Sequence, residues 1–285
     1  MCPIVRTAIL APEVLAKLAC PLCRGPLRDD SGELVCPPCG AVFGVSSGVP
    51  ELFPWRTGNL EPEWSGWRAK LELLQRWREQ TWDESPKANV LHGLVADLSN
   101  RFFDFLRAPP DATVLEIGCG DGNMRRHLPG RPYWGLDPLL LPAAQGDAAV
   151  FLRGVGERLP LANDSFDLVL LIQTLDHAFD PAAVLQEARR VLCEGGQLGV
   201  MQSLHHPPPP LPLRTLPRVW LSRMRRLLMG RPRISDAETK TNPLERDDLL
   251  ALVGAEFHIE QTVRLGDVLL VSARRQATAV GTSAR

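Results

Sequence analysis

Val114-Leu-Glu-Ile-Gly-Cys-Gly-Asp-Gly122 sets a short apolar run against three alternating glycines, and Asn123 follows them. This order reads as a β-strand running into a tight turn and then a helix beginning near Asn123. Glycine lets the backbone turn sharply and approach a ligand. A helix start adds unpaired N–H groups and partial positive charge for an anion. Asp137 stands 15 residues after Gly122, at the end of the apolar run 132–136. There its carboxylate oxygens can accept from both hydroxyls of a ribose. The combination points to a nucleoside cofactor. A dinucleotide fold wants G-x-G-x-x-G, with glycine at 123; the loop here is G-x-G-x-G and Asn123 occupies that position.

Outward from this turn, short apolar runs at 113–117, 132–136, 149–152, 166–172 and 197–202 alternate with helix-length stretches. That is the rhythm of βαβ units, and it predicts an α/β fold with a doubly wound, mostly parallel, seven-stranded Rossmann-like sheet. The run 166–172 is apolar nearly throughout, as a central strand covered on both faces requires. Two last strands are expected at 257–263 and 267–272. Upstream, Trp64, Trp67, Leu71, Leu74 and Trp77 step by three and four, the period of one helix face. The helix either packs on the following domain or lines a substrate entrance with its tryptophans. The expected organisation is a ribbon at 1–54, a helical linker at 55–110 and a catalytic domain at 111–275. Residues 205–243 form an insertion in that domain, and a flexible tail occupies 276–285.

The chain has 285 residues, 45% of them apolar, with Lys+Arg 32 against Asp+Glu 33. A formal charge of −1 argues against wholesale nucleic-acid binding while leaving room for a local basic patch. With neither a membrane-length apolar run nor a signal-peptide pattern, the expected location is cytoplasmic. Seven cysteines make an unpromising disulfide framework and a promising metal site. Cys20-Pro-Leu-Cys23 and Cys36-Pro-Pro-Cys39 are separated by twelve residues, with Asp30-Ser31-Gly32 as the turn between them and β-prone runs at 34–35 and 41–45. Two such pairs on facing hairpin tips supply the four thiolates of a tetrahedral structural zinc, and Gly25 and Gly40 let the chain turn so that amides face the sulfurs. A redox dithiol is the rival reading of a C-x-x-C pair. Cys119 and Cys193 read as packing residues, Cys119 alone having a helix start nearby to lower its pKa.

Residues 18–52, with both cysteine pairs and Gly48-Val49-Pro50, resemble the zinc-ribbon family that includes the small activator subunit of tRNA and protein methyltransferases. Glu116 to Gly122, Asp137, Gly156-Glu-Arg-Leu-Pro-Leu161, Asp164-Ser-Phe-Asp167, Leu175-Asp-His177, Arg190-Val-Leu192 and Gly195-Gly196 occur in the order of class I S-adenosylmethionine-dependent methyltransferases. The region is similar to the branch that holds quinone-biosynthesis methyltransferases. That resemblance implies roles by position. Gly118, Cys119, Gly120, Asp121 and Gly122 would hold the methionine part of S-adenosylmethionine, with Glu116 near its ammonium. Asp137 would hold the ribose, Glu157 would approach the adenine, and Gln173 would face the reacting end. Two positions depart from the pattern. Val155 stands where the family often has an adenine-binding aspartate, and Asp176-His177 stands where two histidines are common.

Methyl transfer needs alignment and, for an oxygen or nitrogen nucleophile, removal of a proton. His177 is the first candidate base, ahead of Asp176 and the pair His205-His206, although a histidine there also serves as a structural hydrogen-bonder. The insertion carries seven arginines and Lys240 against two acids. Its stripe of Trp220, Met224 and Leu227 or Leu228 would make it a lid, with Arg218, Arg223, Arg225, Arg226, Arg231 and Arg233 in water, on anionic lipid (through 214–233) or on RNA. The favoured acceptor is a small or lipid-like molecule. An RNA base methyltransferase is the alternative, to which a partial resemblance to a zinc-bearing rRNA guanine methyltransferase contributes. A cofactor-binding module without turnover, motivated by Val155, is the second alternative.

Overall fold

A computed structural model describes residues 10–55, 64–81, 97–139, 149–205 and 240–276. Helix α1 (Pro12–Lys17) opens the ribbon. Strands β1 (Arg28–Asp30), β2 (Glu33–Val35) and β3 (Val42–Phe43) then form an antiparallel sheet, with β4 (Val45–Ser46) paired to β5 (Val49–Pro50). The turn between β1 and β2 falls where the sequence places it: Ser31 and Gly32 both take positive φ, at 59° and 108°, the conformation a two-residue hairpin turn demands.

The large sheet holds β6 (Val114–Ile117), β7 (Tyr133–Leu136), β8 (Ala149–Leu152), β9 (Phe166–Ile172), β10 (Leu192–Ser203), β11 (His258–Leu265) and β12 (Val268–Arg274). Their order is β11-β12-β10-β9-β6-β7-β8. The five strands from β10 to β8 run parallel, and β12 and β11 are antiparallel. From β6 the chain moves outward through β7 and β8, then returns to place β9 on the other side of β6. The crevice at the carboxyl ends of β6 and β9 is thus the topological switch point where such sheets bind ligands.

Side chains alternate along β6 between two cores. Leu115 and Ile117 face a layer that includes α4 (Pro181–Val191) and α5 (Arg246–Glu256), while Val114 faces helix α3 (97–106). The ribbon shares the first of these cores: Leu18, Leu27, Leu34, Phe43 and Leu52 belong to one buried cluster with the sheet. Helix α2 spans Ser65–Thr81. Trp67 is buried with its ring 5.0 Å from Phe179, edge to face.

One local expectation fails. The helix predicted from Asn123 is a 3-10 helix of five residues, Asn123–His127, that stops at Leu128. Pro129 disfavours helical backbone for the residue before it, so the segment cannot propagate. A turn that short contributes little macrodipole. The insertion stripe (Trp220, Met224, Leu227, Leu228), its arginines from Arg218 to Arg233, His206 and the 277–285 tail lie outside the described residues.

Candidate cofactor site and four-cysteine cluster

The glycine turn after β6 is a cradle of left-handed backbone: φ is 76°, 58° and 71° at Gly118, Gly120 and Gly122. At Gly118 an added Cβ would lie 2.5 Å from Thr174 Oγ1, so this position has no room for any side chain. Thr174 in turn donates to Ile117 O at 3.0 Å, tying the end of β9 to the end of β6. Beside this turn lies a cavity of about 210 Å³. Of the residues singled out from the sequence, Glu116, Gly118, Cys119, Gly120, Asp121 and Gln173 line it. Asn123, noted in the sequence only for the glycine it replaces, joins Leu98, Met124, Ile172 and Met201, which sequence reasoning did not single out, to complete the wall.

Asp137 is buried at the end of β7, and its carboxylate is aimed by the backbone. Oδ2 accepts from Gly120 N at 2.9 Å and Oδ1 from Leu139 N at 2.7 Å. Each carboxylate oxygen can accept again. Glu116, also buried, accepts a hydrogen bond from the hydroxyl of Tyr133, the one tyrosine of the chain. Burial, with the Asp121 and Asp137 charges nearby, pushes Glu116 up to about 8. A buried acid in that state is relieved by a cation placed against it. Cys119 is held as an inert thiol: burial and the surrounding acids raise its pKa well above the ordinary value. Cys193 is raised as well, chiefly by burial, and donates to Asp164 O at 3.3 Å.

Four predicted residues, Gly122, Asp137, Glu157 and His177, are not among those that line the cavity; Asp137 reaches it only through its hydrogen bond from Gly120 N. Glu157 Oε1 accepts from Phe179 N at 2.9 Å, so its carboxylate braces the loop that leads into α4. Burial raises its pKa. His177 lies on that same loop, its Nε2 3.9 Å from Asp176 Oδ1 and its ring 6.4 Å from Trp77. Asp176 is buried and pairs with Lys240 Nζ at 3.1 Å, and its carbonyl accepts from Thr241 N and Asn242 N. Lys70 of α2, buried against Phe179 with a pKa lowered by desolvation, donates to Thr241 Oγ1. Neither Lys70 nor Tyr133 carries a sequence signal, because each meets its partner only through the packing of distant segments. Gln173 takes a positive φ of 53°, and its Oε1 accepts from Ser203 N at 2.9 Å.

The four cysteines of the ribbon converge. Cys20 and Cys39 sulfurs are 3.7 Å apart and those of Cys23 and Cys36 3.4 Å, with all four within 4.8 Å of one another. Four thiolates around one zinc at about 2.3 Å stand about 3.8 Å apart, so the set fits a tetrahedral ion. Gly25 N donates to Cys23 Sγ at 3.4 Å, as the glycine spacing predicts. That bond draws the Cys23 thiol down to about 7, whereas burial pushes Cys36 up to about 12. Four thiolates this close repel one another, and a cation among them relieves that repulsion.

The ribbon is bound to the sheet by charge as well as by shared core. Arg24 makes a two-pronged pair with Glu187 of α4, at 2.6 and 2.7 Å, and Arg158 donates to Pro21 O and Leu22 O. Burial works against the charge of Glu187, but hydrogen bonds from Arg190 and Arg24 outweigh it and lower its pKa.

Residues 115–200 match the family model described as a methyltransferase domain, and residues 12–48 the model described as Trm112p-like protein. An uncharacterized protein of Mycobacterium tuberculosis is 40% identical over 86 residues, 30% of either chain. A ubiquinone biosynthesis O-methyltransferase of Hahella chejuensis is 31% identical over 138 residues, 45% of this chain and 56% of that protein. The alignments thus span about a third to a half of these relatives. Among solved structures, a SAM-dependent methyltransferase of Thermotoga maritima has the same fold, with a TM-score of 0.51 at 20% identity, over 70% of this chain and 98% of the other. No helix among the described residues is long and apolar enough to cross a membrane.

Proposed function

Since the chain joins a Trm112p-like ribbon to a methyltransferase domain, we propose that it transfers the methyl group of S-adenosylmethionine to a small-molecule acceptor. The observation that carries this reading is the cradle itself: a side-chain-free turn, a backbone-aimed Asp137 and the buried acid Glu116 meet at the switch point of the sheet. Bound there, the cofactor would supply a methyl on a positively charged sulfur: the acceptor would bond to the methyl carbon in line with the breaking carbon–sulfur bond, and S-adenosylhomocysteine would leave. The chain's own part is orientation, worth up to about 7 to 11 kcal/mol in such reactions. Gly118, Cys119, Gly120, Asp121 and Gly122 hold the methionine end, Glu116 answers its ammonium, and Asp137 accepts from the ribose. Glu157 stiffens the adenine side and Gln173 borders the reacting end. His177, beside the buried Asp176, takes the acceptor's proton. The four cysteines Cys20, Cys23, Cys36 and Cys39 hold a structural zinc, whose closed coordination leaves no open position for catalysis.

The likeness to a ubiquinone biosynthesis O-methyltransferase supports a small or lipid-like acceptor. The RNA and membrane readings draw on arginines that lie outside the described residues. Calorimetry with S-adenosylmethionine and S-adenosylhomocysteine tests the central claim. Wild-type chain should bind both and Asp137→Ala should bind at least tenfold more weakly, two hydrogen bonds to a charged group being worth more than about 1.4 kcal/mol. If wild-type binds neither, or if Asp137→Ala binds as tightly, the reading is wrong.

A further inference from the structure

A row of backbone hydrogen bonds runs along the carboxyl rim of the sheet from the glycine turn to the ribbon. Gly118 N and Cys119 N donate to Leu136 O at 2.7 and 3.1 Å, and Asp137 N donates to Leu152 O at 3.2 Å. Arg153 N then donates to Pro50 O at 2.9 Å, and Arg153 O accepts from Leu52 N at 2.7 Å. Residues 50–52 therefore continue the sheet beyond β8, with a parallel bridge between Glu51 and Arg153.

The side chain of Arg153 makes a second link over the same ground. Nη1 meets Glu51 Oε1 at 2.6 Å, Nη2 donates to Pro138 O at 3.4 Å, and the guanidinium lies 5.9 Å from the centre of the Phe53 ring. Pro138 and Leu139 form the turn that aims Asp137, because Leu139 N donates to its carboxylate at 2.7 Å. Neither Glu51 nor Arg153 lines the cavity. Gly154 is pressed against the same ribbon segment: an added Cβ would sit 3.1 Å from Leu52 O.

We propose that Arg153, held by Glu51 of the ribbon, is a positioning residue for the ribose of the cofactor. It fixes the 137–139 turn, and so the aim of the Asp137 carboxylate, which makes the ribbon a working part of the cofactor site. The inference rests on the reading of Asp137 as the ribose acceptor. Small errors of aim are costly: a displacement of 1 Å in a positioned group can cost on the order of a hundredfold in rate, and a hydrogen bond to a charged group that is lost through misalignment costs about tenfold in affinity.

The test uses the full chain, S-adenosylhomocysteine and its 2′-deoxy counterpart, with affinities from calorimetry. Arg153→Ala should weaken S-adenosylhomocysteine about tenfold, and the milder Glu51→Gln about threefold, at unchanged zinc content. Combined with Asp137→Asn, either change should cost no more than about twofold beyond Asp137→Asn alone, because residues acting through one group are non-additive. The preference for ribose over deoxyribose should shrink in both single variants. A merely structural role would lower the melting temperature and leave that preference intact, and this result overturns the proposal, as do additive effects. Should Arg153→Ala fail to fold, the Glu51→Gln cycle decides in its place. An Asp137→Asn chain that binds like wild-type would instead remove the underlying reading of Asp137.

Discussion

Glu116 gives the cofactor reading a pH signature. Its ordinary carboxyl pKa is near 4.5, and burial beside Asp121 and Asp137 pushes it up to about 8. At pH 7 the vacant site therefore holds this acid about nine-tenths protonated. If the cofactor's ammonium sits against it, binding selects the anion and releases a proton. Affinity then rises with pH, by roughly tenfold from pH 6 to 7 and by less from pH 7 to 8, where the cofactor's own ammonium begins to lose its proton. The same group acts on folding with the opposite sign. The folded chain keeps the proton up to about 8 and the unfolded one loses it near 4.5. The stability it lends is full below 4.5 and drains away as pH climbs between those values, on the order of 5 kcal/mol in all. Calorimetry in two buffers of different ionisation enthalpy counts the released protons directly, and Glu116→Gln should flatten the pH dependence of both affinity and melting temperature. Tyr133→Phe should move the rise to higher pH, because the tyrosine hydroxyl favours the anion. Binding of S-adenosylhomocysteine that neither varies from pH 6 to 8 nor releases protons would refute the argument.

Two further outcomes bear on the cradle and the ribbon. Gly118→Ala forces a Cβ to 2.5 Å from Thr174 Oγ1 at a φ of 76°. It should lose about 2 to 4 kcal/mol of stability by urea unfolding and abolish cofactor binding, whereas Gly130→Ala, with φ of 74° and open space around it, should cost only about 1 kcal/mol. Elemental analysis should find about one zinc per chain, and Cys36→Ser should drop the metal and unfold the ribbon, seen as loss of hydrogen-exchange protection at Cys20 N and Leu52 N. A metal-free chain with the ribbon still protected would end the zinc reading.

Much of this molecule is written locally. The apolar runs foretold the strands of the large sheet within about two residues of their ends, except that β10 begins at Leu192, five residues before the expected run; a strand buried on both faces must be apolar throughout, as Leu168 to Ile172 are. The two C-x-x-C pairs foretold a four-sulfur cluster because the ligand spacing is itself the hairpin geometry. The helix expected after the glycine turn failed at Pro129, where one ring outweighed the pattern before it. Composition and spacing along the chain could not reveal Lys70 on Thr241 or Arg24 on Glu187, pairs 171 and 163 residues apart. Nor could they reveal Tyr133 on Glu116, which depends on the register of two neighbouring parallel strands. Periodicity reports how one segment meets a core, whereas the partner it meets is chosen by crossovers and register, which exist only once the sheet is assembled. That is why the cofactor loop was legible from its glycines, while the seating of the ribbon against β8 and Arg153 was decided by the tertiary structure alone.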